Sequence, residues 1–270
     1  MSRSDWVPDT VPLDRPNVAR MWDYWLGGHH NFAIDRQVGE QAVRLYPDLP
    51  LVAQVTRAFL HRAVRFMLGQ GVDQFLDIGA GIPTVGNVHE VAHRINPAAR
   101  VVYVDIDPVA VAHSQAMLRA VANAVAVQGD ARRPEGIVGH SDVRRALDWT
   151  RPIGVLAIAL FHFVPDDAEV LGSLRVLRGA LPSGSYLALT HATADEMDPD
   201  VADQAEQLYR RANAPFHFRT RDQIARLFEG LELVEPGVVY VPLWRPSADD
   251  DLLLDQPIRS AAYAGVGRER

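Results

Sequence analysis

Carboxylates gather at three places in the chain, at two of them together with glycine. These are Asp77-Ile78-Gly79-Ala80-Gly81, Asp105-Ile106-Asp107 and Gly129-Asp130-Ala131, each directly after a short apolar run. Glycine lets a backbone turn sharply and come close to a ligand. A carboxylate at the tip of the second strand accepts from the hydroxyls of a ribose in nucleotide-binding folds, and Asp130 after the third is suited to an adenine amino group. A pyrophosphate-binding turn would want a further glycine at position 84, where the chain has Pro83-Thr84. That disfavours a dinucleotide, and with it a nicotinamide oxidoreductase. No lysine occurs, all 27 basic residues being arginine, which excludes Schiff-base chemistry and the phosphate-gripping lysine of a P-loop. Nor does any cysteine, so thiolate nucleophiles, disulfides and cysteine-held metal clusters are excluded too.

The elements that must position these residues are written in the hydrophobic pattern. QFLDIG (74–79), RVVYVD (100–105), AVAVQ (124–128), PIGVLAIAL (152–160) and SYLALTH (185–191) are continuously apolar rather than alternating, as suits strands covered on both faces. Helical stretches separate them. Asn96-Pro97 closes one, Pro108 opens the next, and Asp166 with Glu169, then Thr220 with Gln223, have the spacing of capping boxes. The alternation predicts an α/β fold, a doubly wound, Rossmann-like and mainly parallel sheet. LELVE (231–235) and VVYVPLW (238–244), joined only by Pro236-Gly237, are too close for a crossover and are expected to pair with each other as an antiparallel edge hairpin.

Ahead of the sheet, Val18, Met21, Trp22 and Trp25 form the stripe of a short amphipathic helix ended by Gly27-Gly28, and Val52, Val55, Phe59, Ala63 and Phe66 mark a longer one. The expected organisation is a helical cap over residues 1–70, the Rossmann-like domain over 71–245 and a peripheral tail over 246–270. With a net charge of −7 and arginine pairs scattered along the chain, nucleic acid is disfavoured as a partner. No apolar run reaches membrane length and MSRSDWVPDTVPLD lacks the core of a signal peptide, so a cytoplasmic protein with no membrane partner is expected. The oligomeric state is not written in the sequence.

Acidic strand tips with no cation set aside for phosphate suit a phosphate-free nucleoside that is itself positively charged. S-adenosylmethionine, with its ribose, adenine, ammonium and sulfonium, meets that description. The succession ARMWDYWLGG, NFAIDR, RAFLHRAVRF, QFLDIGAGIPTVGNVHEVA, VVYVDIDP, LFHFV, GSYLALTH and LVEPGVV resembles class I S-adenosylmethionine-dependent methyltransferases. More narrowly, from Ala19 to Trp244 it resembles a family of S-adenosyl methyltransferases of high-GC bacteria long catalogued as a domain of unknown function. The resemblance implies that Asp77, Gly79 and Gly81 shape the methionine end of a cofactor site, that Asp105 holds the ribose, that Ile106 flanks the adenine and that Asp130 with Ala131 meets its edge. Ala80, Asp107 and Leu160 complete the expected cofactor contacts. His29-His30 and Thr56 stand where the family more often has Lys-Asp and Asn.

In such a protein the amino-terminal helix would close over the open sheet edge, shielding the sulfonium from water. Tyr24, off the apolar stripe, and Asn31 are then expected to face the cofactor. Methyl transfer is an in-line displacement that needs alignment, and a base where the nucleophile is a hydroxyl. His162 after the fourth strand and His191 at the end of the fifth are the catalytic candidates. His89-Glu90-Val91-Ala92-His93 matches a zinc-protease motif, but its histidines flank the apolar stripe of Val88, Val91, Ala92 and Ile95 and are expected toward solvent or its margin, with no metal. The function expected is an S-adenosylmethionine-dependent methyltransferase acting on a small-molecule acceptor. A non-catalytic sensor of S-adenosylmethionine or its demethylated product is the alternative: an open pocket beside the sulfonium would favour the enzyme, and one plugged by apolar side chains the sensor.

Overall fold

A computed structural model describes residues 15–83, 86–211, 215–247 and 252–270. Thr84 and Asp249 to Asp251 lie outside the described residues. Three helices come first: α1 (Val18–Trp25), α2 (Ala33–Leu45) and α3 (Leu49–Gly69). The alternating body follows as β1 (Gln74–Ile78), α4 (Val88–Ile95), β2 (Arg100–Asp105), α5 (Pro108–Leu118), β3 (Ala124–Gln128), α6 (Pro134–Val138), α7 (Ser141–Ala146) and β4 (Gly154–Ala157). It ends with α8 (Asp167–Ala180), β5 (Tyr186–Ala192), α9 (Pro199–Arg211), α10 (Arg221–Arg226), β6 (Glu232–Leu233), β7 (Val239–Tyr240) and β8 (Ala262–Arg268).

The strands lie in the order β3-β2-β1-β4-β5-β8-β6, with β7 also on β8. β1 to β5 are mutually parallel and β8 is antiparallel to β5, β6 and β7. The order reverses between β1 and β4, which fixes the ligand crevice at their carboxyl ends. Every residue of β1 and β4 is buried, the two-sided burial their apolar runs required. Thr220 and Gln223 form the anticipated reciprocal cap of α10, whereas Asp166 caps α8 alone by accepting from the Ala168 amide.

Two expectations are corrected. LELVE and VVYVPLW do not pair with each other; both pair with β8, part of a segment that was expected to be peripheral. β8 lies inside the sheet with Ala264 and Val266 fully buried. Its glycines are what disguised it: a Cβ at Gly265 would sit 2.8 Å from the Phe228 ring and one at Gly267 2.9 Å from Leu231, so close packing demands small residues that look like a loose tail in sequence. The cap also divides differently. α3 packs Phe59, Ala63 and Met67 into the core on one sheet face, while Met21, Trp25, Ala42, Leu208 and Tyr209 make a separate cluster. The roof over the sheet edge therefore consists of α1, α2 and α9, with the start of α3.

α1 is held in place by charge as well as by its stripe. Asn17 caps it, accepting from the Ala19 amide at 2.8 Å. The buried Arg20 donates to Asp35 of α2 at 2.7 Å, and lies 4.0 Å from Asp107 at the tip of β2. No helix among the described residues is long and apolar enough to cross a membrane.

Candidate active site

The floor of the site is the turn after β1. Gly79 and Gly81 have φ of +73° and +67°, a region that costs L-residues about 1–2 kcal/mol. The Gly79 and Ala80 amides both donate to the Val104 carbonyl, which pins the turn to β2. The Gly81 amide donates to Asp105 Oδ2 at 2.7 Å, and the Asp107 amide to Oδ1 at 2.8 Å. Asp105 is thus oriented by backbone donors, with lone pairs remaining for a ligand. A Cβ on Gly79 would meet Leu160 Cδ1 at 2.6 Å. Gly79→Ala is accordingly expected to lower stability by about 1–2 kcal/mol, measured as a shifted urea midpoint. An unshifted midpoint would mean that the turn relaxes.

A cavity of about 590 Å³ opens above this turn, within the range of about 300–1,000 Å³ typical of ligand sites. Asp77, Gly79, Ala80, Gly81, Asp105, Ile106, Asp107, Asp130, Ala131 and Leu160 all line it, as do His162 and His191. Burial pushes Asp77 up to about 7, against the pull of Arg57 beside it, and Asp105 up to about 6, against its amide donors. Asp130 lies in the opposite regime: Arg132 grips it in a two-pronged pair and holds its carboxyl below the usual range. Ile106 is half exposed within the cavity. Ala159, also on the wall, is in the left-handed region at +54°, and its amide donates to Thr190 Oγ1 at 2.8 Å. Strain of this kind is characteristic of the edges of functional sites.

The roof departs from expectation. Trp22 and Trp25 line the cavity, whereas Tyr24 does not; its ring packs on α2, where a Cβ at Gly39 would lie 3.0 Å away. Asn31 is structural, donating to Asp23 and to the Gly28 carbonyl. The Gly27-Gly28 pair is a tight turn, since a Cβ at Gly28 would fall 2.0 Å from the Asp23 carboxylate. His89 is buried rather than turned to solvent, with both its amide and its Nδ1 within 2.8 Å of the Tyr103 hydroxyl, while His93 Nε2 bonds the Ala99 carbonyl. The cavity walls missed in the sequence include α9. Its stripe of Val201, Ala205, Leu208 and Tyr209 has helical spacing and was the available signal.

A family model described as S-adenosyl methyltransferase matches residues 4–270. The chain belongs to the S-adenosyl methyltransferase family. Among solved structures, a DUF574 family protein from Streptomyces avermitilis is 38% identical, with 96% of this chain and 100% of that chain covered and a TM-score of 0.90. A protein from Thermobifida fusca is 40% identical, with 99% and 100% covered and a TM-score of 0.89. The pyocyanin biosynthetic protein PhzM, at 16% identity, 92% and 62% coverage and a TM-score of 0.51, shares the fold. No curated protein matches the chain.

The floor of the site is not without cations. Arg20, Arg57 and Arg132 all line the cavity, which corrects the expectation of a floor without positive charge. Arg20 is bound by Asp35, Arg132 by Asp130, and Arg57 lies beside Asp77.

The histidines separate in role. His191 is fully buried; its Nε2 accepts from Arg219 at 2.7 Å, so the proton is on Nδ1, which donates to the Ala192 carbonyl at 2.8 Å. Burial lowers its pKa to about 3. With both ring nitrogens engaged, His191 is a neutral structural link. His162 lies against it, ring centroids 5.5 Å apart, and accepts from the Ala192 amide through Nδ1 at 3.4 Å. That tautomer carries its proton on Nε2, which makes His162 a donor rather than a base, and burial holds it well below its ordinary pKa. Arg219, which sequence patterning did not single out, is almost completely buried and also donates to the Phe161 and Val164 carbonyls and to Asp167.

Proposed function

We propose that the protein binds S-adenosylmethionine across the tips of β1, β2 and β3 and transfers its methyl group to a small-molecule acceptor held under the α1, α2 and α9 roof. The observation that carries this reading is the pair of carboxylates, Asp77 buried and Asp105 partly buried, on adjacent parallel strands beside two left-handed glycines. S-adenosylmethionine supplies an activated methyl on a sulfonium. Asp105 accepts from the ribose hydroxyls, Ile106 covers one adenine face, and Asp130 with Ala131 borders the adenine edge. Asp77 faces the ammonium of the methionine end and Arg57, opposite in charge and next to it, faces the carboxylate. His162 orients the acceptor by donating from Nε2. An open cavity beside His162 supports catalysis over sensing.

The carboxylates supply the test. In the free protein burial pushes Asp77 up to about 7 and Asp105 up to about 6; a ligand whose ammonium faces Asp77 and whose ribose hydroxyls donate to Asp105 favours their ionised forms, so each carboxyl protonated below its pKa must release a proton on binding. S-adenosylhomocysteine affinity is therefore expected to rise by roughly 25- to 100-fold from about pH 5.5 to about pH 7.5, the lower figure from Asp77 alone and the upper from both groups, and then level off. Calorimetric titration in buffers of different ionisation enthalpy would detect the released proton, with NAD as the comparison ligand. Binding of NAD but not of S-adenosylhomocysteine would refute the assignment.

A further inference from the structure

The cavity is larger than its charged floor. Its charged lining residues come from residues 15–20, α3 and the tips of β1, β2 and β3. Past the two histidines the lining changes character, and none of the described lining residues from 161–164, α9 or 215–218 carries a charge, His162 being neutral. Trp22, Trp25, Phe163, Leu208, Tyr209 and Phe216 belong to one apolar cluster and all face this chamber. The Tyr209 and Phe216 rings are stacked at 4.5 Å with an interplanar angle of 16°, and Trp22 and Trp25 meet edge to face at 6.0 Å. Phe216 also lies 4.9 Å from the His162 ring. Ring faces and edges arranged this way gain most from a flat aromatic guest, and a charged guest would find no partner for its charge.

Resting on the proposed methyltransferase reading, we infer that the acceptor is a planar, uncharged or weakly acidic aromatic molecule whose methylated atom presents a lone pair without help from a protein base. The geometry that carries the second half is the locked histidine pair: Nε2 and Nδ1 of His191 are both engaged, and Nδ1 of His162 accepts from a backbone amide. In the transfer the acceptor's lone pair forms the bond to the methyl carbon and the carbon–sulfur bond breaks. Its electron pair stays on sulfur as the neutral thioether of S-adenosylhomocysteine. A phenol that has lost its proton to solvent, its oxygen directed at the sulfonium and not at the apolar wall, becomes a neutral ether, and a ring nitrogen becomes a methylated cation.

The probes are 1-naphthol and quinoline, which supply the two kinds of accepting atom, with citrate and spermidine as charged aliphatic controls. Each is titrated into the full-length protein saturated with S-adenosylhomocysteine, following tryptophan fluorescence. Saturable binding of at least one aromatic probe and of neither control is expected. Phe216→Ala should weaken that binding about tenfold, and Val201→Trp, which fills the chamber from α9, should abolish it. Both variants should retain S-adenosylhomocysteine affinity by calorimetry. If S-adenosylhomocysteine binds but neither aromatic probe does, or the controls bind equally well, the acceptor inference fails and the methyltransferase reading stands. If S-adenosylhomocysteine itself does not bind, the reading beneath it fails.

Discussion

Asp105→Ala is expected to weaken S-adenosylhomocysteine binding by roughly 100- to 1,000-fold while leaving the protein folded. The carboxylate is the acceptor placed to meet both ribose hydroxyls, and hydrogen bonds to a charged partner contribute about 1.5–3 kcal/mol each. Toward the lower end of that range two of them, about 3–4 kcal/mol together, correspond to two to three decades of affinity. The same side chain holds the Gly81 and Asp107 amides, so the substitution also loosens the turn on which the methionine end would rest. Calorimetric titration measures the loss, and a thermal melt shows whether the fold survives. Unchanged affinity in a folded variant would remove Asp105 from the site.

The largest effect on stability is expected from Arg219→Ala. The guanidinium has no exposed side-chain surface, whereas its partner Asp167 is half exposed, so most of the loss falls on the buried acceptors. The Phe161 and Val164 carbonyls and His191 Nε2 would each lose a donor, and a buried group left without its partner costs about 1–3 kcal/mol. A destabilisation of about 3–5 kcal/mol follows, corresponding to a melting point lower by roughly 6–15 °C. Because Arg219 ties the segment after β4 to the end of β5, the variant should also lose the alignment of His162. Recovery by Arg219→Lys would be poor, since one ammonium cannot span these acceptors. A melting point within a degree or two of the parent would show that water replaces the guanidinium without penalty.

How far the sequence discloses this molecule depends on what each residue has to satisfy. Phe75, Leu76 and Ile78, or Val101 to Val104, are buried on both faces, so their positions leave no room for polar residues and the parallel core is plain in the text of the chain. The glycine and aspartate tips were legible for a similar reason, because a left-handed turn at Gly79 and Gly81 restricts the residue type. α1 was harder. Its stripe of Trp22 and Trp25 faces the cavity and packs in the roof cluster at once, so apolar spacing alone could not say that the tryptophans, and not Tyr24, border the ligand space. Arg219 and the Arg20–Asp35 pair were illegible because their partners lie in other elements, and a charged residue near the chain's surface pattern looks the same whether buried or solvated. The histidine roles were settled by hydrogen-bond partners such as the Ala192 carbonyl, which belong to the fold and not to residue type.

The position of β8 also bears on how the chain reaches its native state. β5 pairs along its length with a strand synthesised well after it, and β6 and β7 precede the strand they must join. Until that late strand arrives, β5 presents a long open edge, and β6 and β7 have nothing to zip onto. Such delayed, long-range pairing slows folding and leaves a template for self-association. During biosynthesis the nascent polypeptide therefore passes through an interval in which aggregation competes with completion, and chaperone demand should concentrate there.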